Sequence, residues 1–275
     1  MNRFLSFFIL INVICFNQAN AQLTVDNNTP NDNPVLLIDD ILLGGGVIAS
    51  NHSYMGDSIQ IGYFDGSNSN LGLSSGIVLS TGDISILVPN GGLGGVINSN
   101  ANDPDLLTVA NSVPELINQN FTVTSVNDIA ILEFDFVPYS DTVSFNYVFG
   151  SEEYPEYVGS QFNDVFAFFI SGPGIPGLQN IAKLPNGTPV AINNVNAGAN
   201  QAFFVNNGDG TTGPQNASPN YIQYDGFTKV LTAESVVQCG ETYHLIICIA
   251  DAGDGQLDSG IFLEANSLSS KTPIE

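Results

Sequence analysis

The stretch SEEYPEYVGSQFNDVFAFFISGPG, residues 151–174, sets Glu152, Glu153, Glu156 and Asp164 in a loop bounded by aromatic segments. Before it, VSFNYVFG puts Val143, Phe145, Tyr147 and Phe149 at the two-residue period of a strand with one buried face. After it, residues 165–170 are apolar at every position, the pattern of a central strand covered on both sides. Carboxylates gathered between two strands, with no lysine or arginine nearby, repel one another unless a cation joins them. The centre of the chain therefore predicts strands for the scaffold and a charged loop for the chemistry.

Outward from that centre, residues 76–80, 129–136, 143–149, 165–170, 221–231, 242–250 and 260–267 are rich in β-branched and aromatic residues and read as strands. Tracts such as VPNGGLGG and VNNGDGTTGPQN separate them with turn chemistry. Two short helices are expected. In the first, Asn33 caps, Pro34 takes the first position, Val35, Ile38 and Leu42 share a face, and Gly44 ends it. The second covers residues 104–111, capped by Asp103 and limited by Pro114. Residues 25–34 read as a flexible lead-in with little to bury. Strands without alternating helices predict an all-β fold, a two-layer, jelly-roll-like sandwich over residues 22–275 as a single domain.

Residues 1–21 read as a secretory signal, with Arg3 for the positive end, an apolar run over residues 4–16 and Ala19-Asn20-Ala21 as the cleavage site. The run is too short for a membrane span and nothing comparable follows, so no membrane insertion is expected. Ile14 before Cys15 is not the small residue that lipoprotein processing uses. Export to the cell surface, the medium or the periplasm is the expectation. Three basic residues then remain, Lys183, Lys229 and Lys271, against 27 acidic ones. Such a chain has no basic surface to displace the counterions of nucleic acid, and that partner class is excluded. Cys239 lies just before the predicted strand of residues 242–250 and Cys248 within it, an extended run that holds them roughly 30 Å apart. A disulfide needs Cα atoms within about 7 Å, so both are expected to be free thiols.

Several motifs resolve to ordinary structure. Gly72-Leu73-Ser74-Ser75-Gly76 has the string of a nucleophile elbow, but a strand follows where the elbow needs a helix. Residues 208–213 match GxGxxG, yet Pro214 follows instead of the helix that cradles phosphate. His52 and His244 read as satisfied core or edge residues, with no triad or zinc set around them. Two acidic loops remain, residues 151–164 and the DAGDGQLDSG of residues 251–260. Calcium takes six to eight oxygens from carboxylates and carbonyls, and glycine-rich turns let carbonyls approach. The expected ligands are Glu152, Glu153, Asp164, Asp251, Asp254 and Asp258. The second loop is not an EF-hand, since its twelfth position is Phe262. Asp and Gly are also common in plain turns, the competing reading of that loop.

The motifs LLGGGVIASN (residues 42–51), IGYF (61–64), SGIVLSTG (75–82), FGSEEYPEYVGSQFNDVFAFFISGPG (149–174), NIAKLPNGTPVAINNVN (180–196), YDGFT (224–228) and TYHLIICIADAGDGQLDSGIFLEANSL (242–268) run through nearly the whole mature chain in one order. Together they resemble the choice-of-anchor L family of bacterial secreted proteins. The resemblance implies a secreted or surface-displayed β-sandwich without a defined reaction, often followed by a C-terminal sorting domain. Only KTPIE follows the last strand and its tail here, a departure that leaves the mode of anchoring open. The leading expectation is a non-catalytic binding or adhesion module with calcium in its acidic loops. Its partner would be a glycan or a surface protein, with Tyr154, Tyr157 and Asn163 as contacts and Tyr63 as a further exposed ring. The rivals are a glycan-cleaving enzyme working through a carboxyl pair and a structural surface or filament subunit.

Overall fold

The computed structural model describes residues 22–89, 91–97, 102–208 and 221–270. The predicted signal and most of the GxGxxG match lie outside the described residues. The strands are β1 (Thr24–Asp26), β2 (Val47–Met55), β3 (Ile61–Asp65), β4 (Ser75–Ser80), β5 (Val126–Pro138), β6 (Thr142–Ser151), β7 (Val165–Gly172), β8 (Ile175–Asn180), β9 (Phe204–Asn206), β10 (Gly226–Thr228), β11 (Leu231–Val236), β12 (Tyr243–Ala252) and β13 (Ser259–Glu264). They form two antiparallel sheets. One runs β2-β5-β12-β7-β8; the other runs β1-β3-β4-β13-β6-β10-β9, with β11 beside β6. The predicted sandwich is the observed one. Among the described residues no helix is long and apolar enough to cross a membrane.

Alternation on the strands explains how the sheets stack. Phe145, Tyr147 and Phe149 of β6 face Phe166 and Phe168 of β7, with ring centroids 4.8–4.9 Å apart in the pairs Phe145–Phe168, Tyr147–Phe168 and Phe149–Phe166. Leu245, Ile247 and Ile249 of β12 and Ile261 and Leu263 of β13 complete this inner layer. The alternate residues are covered too. Val165, Ala167, Phe169, Cys248 and Ala250 lie with Leu106 and Ala110 of α2 (Pro104–Leu116). On the far side, Phe64, Val78, Val148 and Phe262 are covered by Leu73, Ile84, Tyr224 and their neighbours. The α2-side cover makes β7 apolar on both faces, as the unbroken apolar run of residues 165–170 required.

Four local expectations are corrected. The start of the lead-in is held, since Val25 and Asp26 belong to β1, which pairs with β3, while no residue of 25–34 is buried, as expected. The first helix, α1 (Pro34–Leu36), is capped by Asn33 as predicted but widens into a π-turn over Leu37–Leu42. The widened turn buries Leu37, Ile38 and Leu42 and leaves Val35 exposed. Helix α2 takes its cap from Asp103 but runs past Pro114 to Leu116, because Val113 and Pro114 are themselves buried. The strand expected over residues 221–231 shrinks to β10, with β11 starting only at its last residue; the two pair with successive stretches of β6. Ile222 and Tyr224 leave the sheet edge for the outer core.

Candidate functional site

Strand register brings the two acidic loops to one end of the sandwich. In one sheet Ser151, the last residue of β6, pairs with Ser259, the first of β13. In the other, Val165, the first of β7, pairs with Ala250 near the end of β12. The loop leaving β6 thus enters β7, the loop leaving β12 enters β13, and both cross between the sheets side by side. Hydrogen bonds lock them. Asp258 N–H donates to Glu152 Oε2 at 3.1 Å, and Glu152 N–H donates to the Asp258 carbonyl at 3.0 Å. Asp164 spans the second loop, its Oδ1 accepting from Ala252 N–H at 3.0 Å and its Oδ2 from the Ser259 hydroxyl at 2.6 Å.

A third segment joins them. Across from Ala250, β5 carries an extra residue in its pairing with β12, and Asp128 there has φ 48°. A bulge of this kind re-aims a side chain at a sheet end. Asp128 Oδ2 accepts from Ile97 N–H at 3.1 Å, and Glu152 Oε2 accepts from Gly94 N–H at 2.8 Å. Residues 91–97 are thereby strapped across the acidic end. The Asp258 carboxylate lies against the backbones of Gly82 and Gly94 so closely that a Cβ on either would collide with it. Gln60, wholly buried, ties the base together by donating from Nε2 to the carbonyls of Thr81 at 2.8 Å and Asp128 at 2.9 Å.

Burial is the unusual property of these acids. Asp128, Glu152, Asp164, Asp251 and Asp258 are each 1 % exposed and Glu153 is 3 % exposed. Asp251 and Asp258 make no close hydrogen bond on either oxygen, drawing only on the Thr81 side chain and the Gly95 N–H respectively, and Glu152 Oε1 and Glu153 Oε2 lack a partner. Among the described residues every ion pair involves a histidine at another place: His52 with Asp39, and His244 with Glu133 and Asp135. Burial, and then repulsion by Glu152 and Asp164, pushes the Asp258 carboxyl up to about 8. Burial raises Glu153, Asp164 and Asp251 as well, with neighbouring carboxylates adding to the effect. A carboxylate taken from water without compensation costs several kcal/mol, so a group of them needs protons or cations. The donors are hard oxygens, which suit calcium or magnesium. No three His, Cys, Asp or Glu side chains among the described residues are drawn onto one point as a compact metal centre.

Of the residues named from sequence, Glu152, Glu153, Asp164, Asp251 and Asp258 come together at this end. Asp254 does not share their burial: it is exposed at a turn, where its Oδ1 accepts from Gln256 N–H at 3.3 Å. The expectation that Tyr154 is an exposed contact is corrected. It is 1 % exposed and donates its hydroxyl to the Val195 carbonyl at 2.6 Å. Asn163 is buried and accepts from Asn193 N–H at 2.8 Å. Tyr157, edge-on to Phe162, and Tyr63 are half-buried. Sequence reasoning missed Asp128 and the strap. Asp128 was legible as an acid at the mouth of an apolar strand, but nothing local pairs it with residues 251–258. The free thiols are as expected, Cys239 exposed and Cys248 buried.

The family model described as Choice-of-anchor L domain matches residues 24–269. No curated protein and no solved structure matches the chain. The chain belongs to the choice-of-anchor L family, a family of surface or secreted proteins that is not a known enzyme family.

Proposed function

We propose that this choice-of-anchor L chain is a non-catalytic binding or adhesion module of the cell surface or the secreted fraction, with calcium holding its acidic loops. The observation that carries the reading is the convergence of both loops into one buried group of carboxylates, several of whose oxygens make no close hydrogen bond. Solubility does not account for acids that water does not reach, whereas a divalent cation offsets both their repulsion and their desolvation. A surface setting fits this chemistry, because an exported protein meets calcium at concentrations that a weak site can use. A glycan or another surface protein is the partner class of such a module.

Glycan cleavage is the less favoured reading on the same observation. It needs two carboxyl groups facing a substrate in an open cleft. Glu152, Glu153 and Asp164 are all buried, and Glu156 is exposed.

The test is a thermal melt of the mature chain in EDTA and then in millimolar calcium or magnesium, with elemental analysis of the purified protein. Saturation a hundredfold above Kd adds about 2.7 kcal/mol. For a chain of this length that is a rise in Tm on the order of 5 °C. Calcium is expected to exceed magnesium, since crowded carboxylates with flexible loops suit the larger ion. An unchanged melt together with a metal-free protein would overturn the calcium reading.

A further inference from the structure

Resting on the reading of the chain as a binding module, we infer that the groove between β8 and β11 takes up an extended peptide of a partner protein. The peptide adds as a strand to the free edge of β11 and sets an acidic side chain against Lys183. The groove has a volume of about 780 Å³ and is lined by β8 of one sheet and β11 of the other. β8 is the last strand of its sheet, and β11 pairs only with β6 among the described residues, so each sheet presents an open edge there. Ile175, Ile181, Leu184, Phe203 and Leu231 line the groove and pack with the inner core, which gives it an apolar floor continuous with the sandwich. It lies away from the acidic end, because β11 meets residues 142–147 at the start of β6 and Ile175 meets Gly172 at the end of β7.

The two edges are not equivalent. β8 carries Pro176 and Gly177, and its pairing with β7 shifts register between Ile170 and Gly172, features that blunt an edge against strand addition. β11 has six residues in unbroken register with β6, with no proline, glycine or bulge. Its outer row of N–H and C=O groups is a template for another strand. Charge selects the occupant. Lys183 and Lys229 are the only lysine or arginine side chains among the described residues, and neither forms an ion pair. Lys183 lines the groove, and Lys229 stands at its rim beside Val230, its N–H donating to the Phe203 carbonyl at 2.7 Å. Both lysines of so acidic a surface thus meet at one opening, where Glu234 is the only acid in the lining. A carboxylate on the peptide is their complement. A second copy of the chain, with a formal charge of −23, is repelled by the rest of the surface. A glycan would find a single ring in the lining, Phe203, which is half-buried and offers no stacking platform.

The experiment is selection of a displayed library of random peptides on the mature chain. Fluorescence anisotropy with the synthetic form of the best clone and hydrogen exchange over residues 231–236 follow. Selected peptides are expected to alternate apolar with polar residues and to include an aspartate or glutamate. They should slow exchange in β11 and lose binding when alternate residues are N-methylated, since main-chain hydrogen bonds carry strand addition. Lys183→Glu and Val236→Asp, both at exposed positions, should each weaken binding more than about tenfold. Ile48→Asp, on the far edge strand β2, should leave it unchanged. No selected peptide at all, or peptides whose binding survives both groove variants, would overturn the proposal. A dimer in sedimentation that Val236→Asp dissociates would overturn it too, making β11 an interface between copies. A glycan-array ligand lost in Lys183→Glu, with no peptide selected, would make the groove a sugar site and keep only the binding-module reading. The calcium melt is separable from all of these. Peptide binding by a chain indifferent to calcium leaves the groove standing, and a calcium-stabilised chain that binds no peptide removes the groove alone.

Discussion

Asp258 has little freedom, because two glycine backbones enclose its carboxylate and its own N–H is spent on Glu152. That makes Gly82 a more informative position than most core residues. A methyl there must push a short, buried side chain, which has Gly94 on its other side and nowhere open to go. Gly82→Ala is expected to lower stability by about 1–3 kcal/mol, the range of overpacking. The loss should be larger in calcium than in EDTA, measured by denaturant titration. An equal loss in both would mean that the glycine matters for packing alone. The cysteines give a second residue-scale test. Cys239 is exposed and Cys248 is buried between β7 and α2, with its sulfur donating to the Ala167 carbonyl at 3.4 Å. A thiol reagent should label one cysteine in the native chain and both after unfolding, and two native labels would contradict the packing of β12.

At the scale of elements, α2 lies over the outer face of β7 and β12 and so guards the strands that carry Asp164 and Asp251 into place. Its N-terminus depends on Asp103, whose Oδ1 accepts from the N–H groups of Asp105 at 2.9 Å and Leu106 at 2.8 Å. Asp103→Ala should cost about 1 kcal/mol, as cap removal typically does. Restoration by Asp103→Asn or Asp103→Ser would separate capping from charge, and failure of both to rescue would argue against the cap. The helix starts were legible because Asn33-Pro34 and Asp103-Pro104 are strong local signals. The helix ends were less so. Packing of Val113 and Pro114 outweighed the proline at the second, and the π-turn at the first obeys the inner core and not the local period.

For the whole molecule, the acidic end links stability to pH with an unusual sign. The buried carboxyls hold their protons more tightly in the folded chain than in the unfolded one, where carboxyls titrate near about 4. The cation-free fold is therefore favoured at low pH, where they are protonated in both states. It loses stability as pH rises from about 4 through the 8 or so at which Asp258 ionises. In EDTA the denaturation midpoint should fall between pH 5 and pH 8.5, and calcium should reduce that fall by binding the ionised form. A midpoint that rises with pH in EDTA would contradict the burial of these acids. By itself the sequence determined the two-layer β class, the helix caps and the doubly covered strand at residues 165–170, because strand period and capping chemistry are local. It also picked out most of the acids, since adjacent glutamates between aromatic strands have no turn role to explain them. Only the tertiary structure decided that Ser151 meets Ser259 and that Val165 meets Ala250, register choices made by packing across distant segments. Those choices brought in Asp128 and the Gly94 strap, left Asp254 exposed and put Tyr154 in the core. Burial decides whether a carboxylate is a solvated turn residue or a charge that needs a partner, and burial is a property of the assembled sandwich.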